Sequence, residues 1–109
     1  MQVAKRRQVL AQQSVGAGIE PAILTIWPDS DFNPAQRNGI AQVNGWILRD
    51  MTNDVPGATA LDMAGIITGQ PATNAANILR EYDDGGGLHL NRAGCQKVAE
   101  EISKFFTKH

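Results

Sequence analysis

Apolar positions change their spacing several times along this chain, and each change predicts an element. From Gln2 to Val15 the residues are helix formers with a thin apolar stripe, and Gly16 and Gly18 supply a helix end and a turn. The run from Ala22 to Trp27 then has almost no polar break between Pro21 and Pro28. This predicts a strand buried on both faces, as in a parallel sheet. Asn33 and Pro34 make an N-cap and first-turn pair, after which Ile40, Val43, Ile47 and Met51 recur at helical spacing. Ala58 to Met63 predicts a second, weaker strand, because alanine and aspartate are poor strand formers. Gly69 to Asn77 has the composition of a loop, although Ala75, Ile78, Leu79 and Tyr82 also fit one face of a short helix. The last helix is the clearest. Asn91 caps it, Cys95, Val98, Ala99, Ile102, Phe105 and Phe106 form its apolar stripe, and Glu100 and Lys104 are spaced for an ion pair.

The order helix, strand, helix, strand, loop, helix predicts an α/β domain in which right-handed crossovers lay helices over a short parallel sheet. With 109 residues there is room for a single domain, residues 1–109, and a modest core. The 42% hydrophobic and 19% charged content is that of an ordinary globular chain. Ten basic residues nearly cancel eleven acidic ones, so no broad field attracts nucleic acid or an anionic membrane. Lys5, Arg6 and Arg7 read as a solvated helix face. No apolar run approaches a membrane span, and the first residues lack the apolar core of a signal peptide, so the expectation is a soluble protein. The single Cys95 cannot form an internal disulfide, and its place on the last helix predicts a packed core thiol. Trp27 and Trp46 belong in or beside the core, and Trp27, at a strand end, is also placed to line a pocket.

Candidate chemistry is concentrated between Tyr82 and Gly94, where two acids and three glycines precede a histidine and a helix start. An unperturbed imidazole changes charge near neutrality, so a histidine such as His89 on a loop beside a sheet suits general acid and base work, with a nearby carboxylate fixing its tautomer. Asp83 and Asp84 are the nearest carboxylates; turn formation is their alternative role. Asp29-Ser30 follows the first strand and precedes a helix, a place where a hydrolase nucleophile can be presented, though such pairs also make turns. His89 with Asp83 and Asp84 lacks a second histidine or cysteine cluster and is not expected to hold a metal. Gly85, Gly86 and Gly87 match neither a P-loop nor a dinucleotide fingerprint, so no cofactor is expected. His109 is terminal.

The block DDGGGLHLNRAG, followed by an amphipathic helix, resembles the last sequence block of the SGNH or GDSL family of serine esterases and lipases. The strand ending Thr25-Ile26-Trp27-Pro28, the helix with Arg37 and Asn44 to Asp50, and Ala60-Leu61-Asp62 are similar to the stretch before that block in the branch of rhamnogalacturonan acetylesterase-like proteins. The resemblance spans about residues 20 to 107. It implies part of a three-layer α/β/α flavodoxin-like fold, a small ester or acetylated carbohydrate as substrate, and His89 as the triad histidine. Two departures stand out. The family acid, three residues before the histidine, is replaced by Gly86, leaving Asp84 or Asp83 for that role. The chain also has no Gly-Asp-Ser and no Gly-x-Asn-Asp, leaving Ser30 as a substitute nucleophile.

Two expectations follow. One is an SGNH-type carboxylic ester hydrolase, or a fragment of one. The other is an inactive esterase remnant that works as an oligomerising structural or binding module. Two strands leave open sheet edges, and a homo-oligomer, most simply a twofold dimer, is expected.

Overall fold

Helix α1 (Gln2–Gly16) leads into strand β1 (Ala22–Leu24), and helices α2 (Pro34–Arg49) and α3 (Met51–Asp54) lead into strand β2 (Thr59–Leu61) in a computed structural model describing residues 2–108. Helix α4 (Met63–Thr68), two 3-10 turns (Ala72–Asn74 and Arg80–Tyr82) and helix α5 (Arg92–Lys108) complete the chain. The start of α2 is set by a capping box. Asn33 Oδ1 accepts from the Gln36 N–H at 2.8 Å, and Gln36 Oε1 accepts from the Asn33 N–H at 2.9 Å.

The two strands pair in parallel, Ala22 with Thr59, Ile23 with Ala60 and Leu24 with Leu61, so the architecture is mixed α/β around a short parallel sheet. Side chains alternate across it. Ile23 and Ala60 join Ala11, Val15, Trp46, Met51, Val55 and Ala58 on one side. Leu24 and Leu61 join Met63, Ile67, Ile78, Leu90, Val98 and Ile102 on the other.

Several expectations need correction. The first strand ends at Leu24 instead of Trp27, because its partner turns away: Asp62 starts α4, accepting from the Gly65 N–H at 3.1 Å and from the Thr25 hydroxyl at 2.8 Å. Beyond Thr25 the run has no strand to pair with among the described residues, and the Asn44 side chain takes both backbone groups of Ile26. Residues 22–24 are half-buried, not buried on both faces, since a two-stranded sheet covers no strand completely. Met63, the last residue of the expected second strand, instead begins α4, which ends on Gly69 in the left-handed region at φ 67°.

The buried face of α5 is narrower than its sequence pattern. Val98 and Ile102 reach the core, whereas Cys95 and Ala99 are exposed and Phe106 is 69% exposed. Cys95 is therefore not a packed core thiol. Lys104 pairs with Glu101 at 3.1 Å, not with Glu100, because Glu101 sits between Lys104 and Lys97 and takes both. Among the described residues, no helix is long and apolar enough to cross a membrane.

Candidate functional site

The histidine loop is built by its own carboxylates. Asp83 and Leu90 form an antiparallel bridge, and the Asp84 N–H donates to His89 C=O at 3.1 Å. Within that frame Asp83 Oδ1 accepts from the N–H groups of Gly85 at 2.9 Å and Gly87 at 3.0 Å, and Asp84 Oδ1 accepts from Gly86 at 2.8 Å. The backbone N–H groups of Gly85 and Gly87 hold the Asp83 carboxyl below its ordinary range. Gly87 needs its φ of 79°, and a Cβ there would lie 2.6 Å from Ser30 Cβ.

That close approach docks the histidine loop on the segment after β1. The Ser30 N–H donates to Gly87 C=O at 2.9 Å, and Trp27 Nε1 donates to Leu88 C=O at 3.0 Å. Asn91 holds the far end, accepting from the Gly94 N–H at 2.8 Å as a helix cap while its amide donates to Glu81 C=O at 3.0 Å and Asp83 C=O at 3.2 Å. Gly94 must be small, since a Cβ would meet Tyr82 C=O at 2.8 Å.

The candidate residues thus gather in one place without forming a triad. Ser30 and His89 are both exposed and sit on docked loops, but among the described residues no hydrogen bond joins the His89 imidazole to the side chain of Ser30, Asp83 or Asp84. Both carboxylates work as turn formers. His89 forms part of the wall of an open, mainly apolar groove of about 390 Å³, together with Leu24, Thr25, Ile26, Trp27 and Leu88. Trp27 therefore both lines the groove and anchors the loop. Among the described residues, no group of three or more histidine, cysteine, aspartate or glutamate side chains converges as a metal site requires. His109 lies outside the described residues.

Two residues that support this site had no role assigned by sequence reasoning. Arg37 donates to the carbonyls of Ser30 at 3.0 Å, Phe32 at 3.2 Å and Ala75 at 2.9 Å, clamping the serine loop to the chain beyond α4. Asn44, fully buried, accepts from the Ile26 N–H at 2.8 Å and donates to the carbonyls of Ile26 at 2.7 Å and Ala72 at 2.9 Å. The signal was available: Asn44 lies one position beyond Val43 and three before Ile47, on the buried side of α2, where a polar side chain requires partners. Comparisons of the chain with protein-family models, with curated proteins and with solved structures found no match.

Proposed function

We propose that the chain is an SGNH-type carboxylic ester hydrolase module acting on a small ester such as an acetylated carbohydrate, with His89 as general base and acid and Ser30 as nucleophile. The observation that supports this reading is the docking of the two loops, Ser30 N–H to Gly87 C=O at 2.9 Å, two residues from His89. The mainly apolar groove beside His89 suits an acyl group, and the Trp27 indole in its wall suits a sugar face. The flavodoxin-like three-layer arrangement belongs to the same proposal and is supported by helices on both sides of the parallel pair.

In this chemistry the Ser30 hydroxyl attacks the ester carbonyl while its proton passes to the His89 imidazole. The tetrahedral intermediate expels the alcohol, which takes that proton. Water then attacks the acyl-serine, His89 again accepting a proton and returning it to the serine oxygen. Among the described residues no carboxylate bonds the imidazole, and loss of that partner in a triad costs about 10⁴ in rate. The expected activity is accordingly low.

A second reading, an inactive esterase remnant that assembles or binds, is favoured by the engagement of Asp83 and Asp84 in turn bonds and by the unpaired edges of a two-stranded sheet. Such a module would assemble most simply as a twofold dimer. Hydrolysis of a short-chain activated ester by the parent, His89→Ala and Ser30→Ala separates the two. Activity lost in both variants supports the hydrolase; an inactive parent, unlabelled by a serine-directed inhibitor in intact mass, supports the remnant.

A further inference from the structure

One flank of the molecule carries features that ester chemistry does not use. The Thr59 N–H donates to Pro21 C=O at 2.9 Å and the Thr25 N–H to Leu61 C=O at 3.1 Å, so in the observed register residues 21, 23 and 25 turn their backbone groups toward β2. Ala22 and Leu24 turn theirs away. Among the described residues, the N–H and C=O of Ala22 and the N–H of Leu24 meet no partner, and Leu24 C=O is bonded by Arg7 Nη1 at 2.7 Å. The groove beside His89 continues this edge. Leu24, the last residue of β1, and the three residues after it line the groove.

Charge selects the occupant. Arg7 is half-buried at the edge, and among the described residues it pairs with no carboxylate. Leu10, 64% exposed, follows Arg7 by three positions on the same flank of α1. A second copy of this chain fits poorly here, because a twofold axis at β1 would bring the two Arg7 side chains together. The unpaired backbone groups call for an extended chain, and Arg7, which meets a carbonyl but no carboxylate among the described residues, calls for an acidic side chain.

We propose that the outer edge of β1 accepts an extended acidic segment of another polypeptide. Its backbone pairs with Ala22 and Leu24, a carboxylate meets Arg7, and an apolar side chain enters the groove beside Trp27 and His89. Arg7 then exchanges Leu24 C=O for the incoming carboxylate. This pairing does not depend on ester hydrolysis, and the ester assay above leaves it untouched.

The probe is a short end-capped peptide alternating valine and glutamate, titrated into the isotope-labelled chain at low salt, where exposed charge is least screened. Saturable shifts and slowed exchange at the amides of Ala22 and Leu24 are expected. Binding should weaken by about tenfold in Arg7→Gln and be lost when the glutamates become lysines. N-methylation of alternate peptide amides should abolish it too, a control that leaves the protein unchanged. Undiminished binding of the N-methylated peptide, shifts confined to other residues, or no shift at millimolar peptide would overturn the proposal. So would a dimer of the chain alone with Ala22 and Leu24 protected, which makes the occupant a second copy.

Discussion

Removal of the Asn44 side chain is expected to destabilise the domain more than its size suggests. Asn44 is fully buried and joins two separate stretches, bonding both backbone groups of Ile26 and the carbonyl of Ala72. In Asn44→Ala these three groups lose their partner at once. Ala72 is 3% exposed, so water does not replace the bond to its carbonyl, and an orphaned buried acceptor costs about 1–3 kcal/mol. Ile26 is only half-buried, which places its two groups near the lower end, about 1 kcal/mol each. The total is about 3–5 kcal/mol, a large part of the roughly 5–15 kcal/mol that holds a domain together.

Urea unfolding followed by far-ultraviolet circular dichroism measures the loss. With a slope of about 1–3 kcal/mol per molar, the midpoint should fall by roughly 2 M. A companion variant separates the causes. Asn44→Leu restores volume but leaves the same three groups unpaired, so it should be nearly as unstable as the alanine variant. Recovery of parent stability by leucine would show that the cavity, not the lost hydrogen bonds, sets the cost. A loss below about 1 kcal/mol in Asn44→Ala would refute the reasoning altogether.

The glycines of the histidine loop give contrasting expectations. Gly87→Ala combines a φ of 79° with a Cβ 2.6 Å from Ser30 Cβ, and should cost about 1–3 kcal/mol and shift the Trp27 emission; an unchanged thermal midpoint would mean the loops do not touch as described. Gly86 is not at positive φ, and a Cβ there meets only Asp84 Oδ1 at 3.3 Å, so Gly86→Asp should fold and raise ester hydrolysis by about tenfold or more. An unchanged rate would show that the imidazole is not limited by a missing acid. Asp83 has its folded pKa lowered by the N–H groups of Gly85 and Gly87. Its contribution is therefore present above the unfolded value of about 3.9 and lost as pH falls through the folded one, so the amides of Gly85 and Gly87 should lose protection only below about pH 4. Loss of protection near pH 6 would assign the loop's stability to another group.

What the sequence makes legible follows from how local each feature is. The start of α2 can be read because Asn33, Pro34 and Gln36 settle it among themselves, and Asn91 with Gly94 does the same for α5. The end of β1 cannot be read from its own residues. Ile26 and Trp27 continue an apolar run, and only the turn of a distant segment at Asp62 removes their strand partner. Cys95 shows the same limit. Helical spacing places it on the apolar stripe, yet the buried line through Gly94, Val98 and Ile102 is set by how close α5 comes to Tyr82 and Leu90.

The candidate site repeats this division. Its loop is legible because glycines and acids announce a tight turn, but their division of labour is not. A carboxylate near a histidine in sequence can orient an imidazole or close a turn, and the outcome rests on which backbone N–H groups lie within reach. Here three glycine N–H groups lie within 3.0 Å of Asp83 and Asp84, and the glycines that let the loop fold tightly also draw its acids away from His89. The geometry that brings His89 to the groove therefore works against a triad. A carboxylate for the imidazole has to come from a position whose own oxygen is not needed for the turn, and within this loop Gly86 offers the space for one.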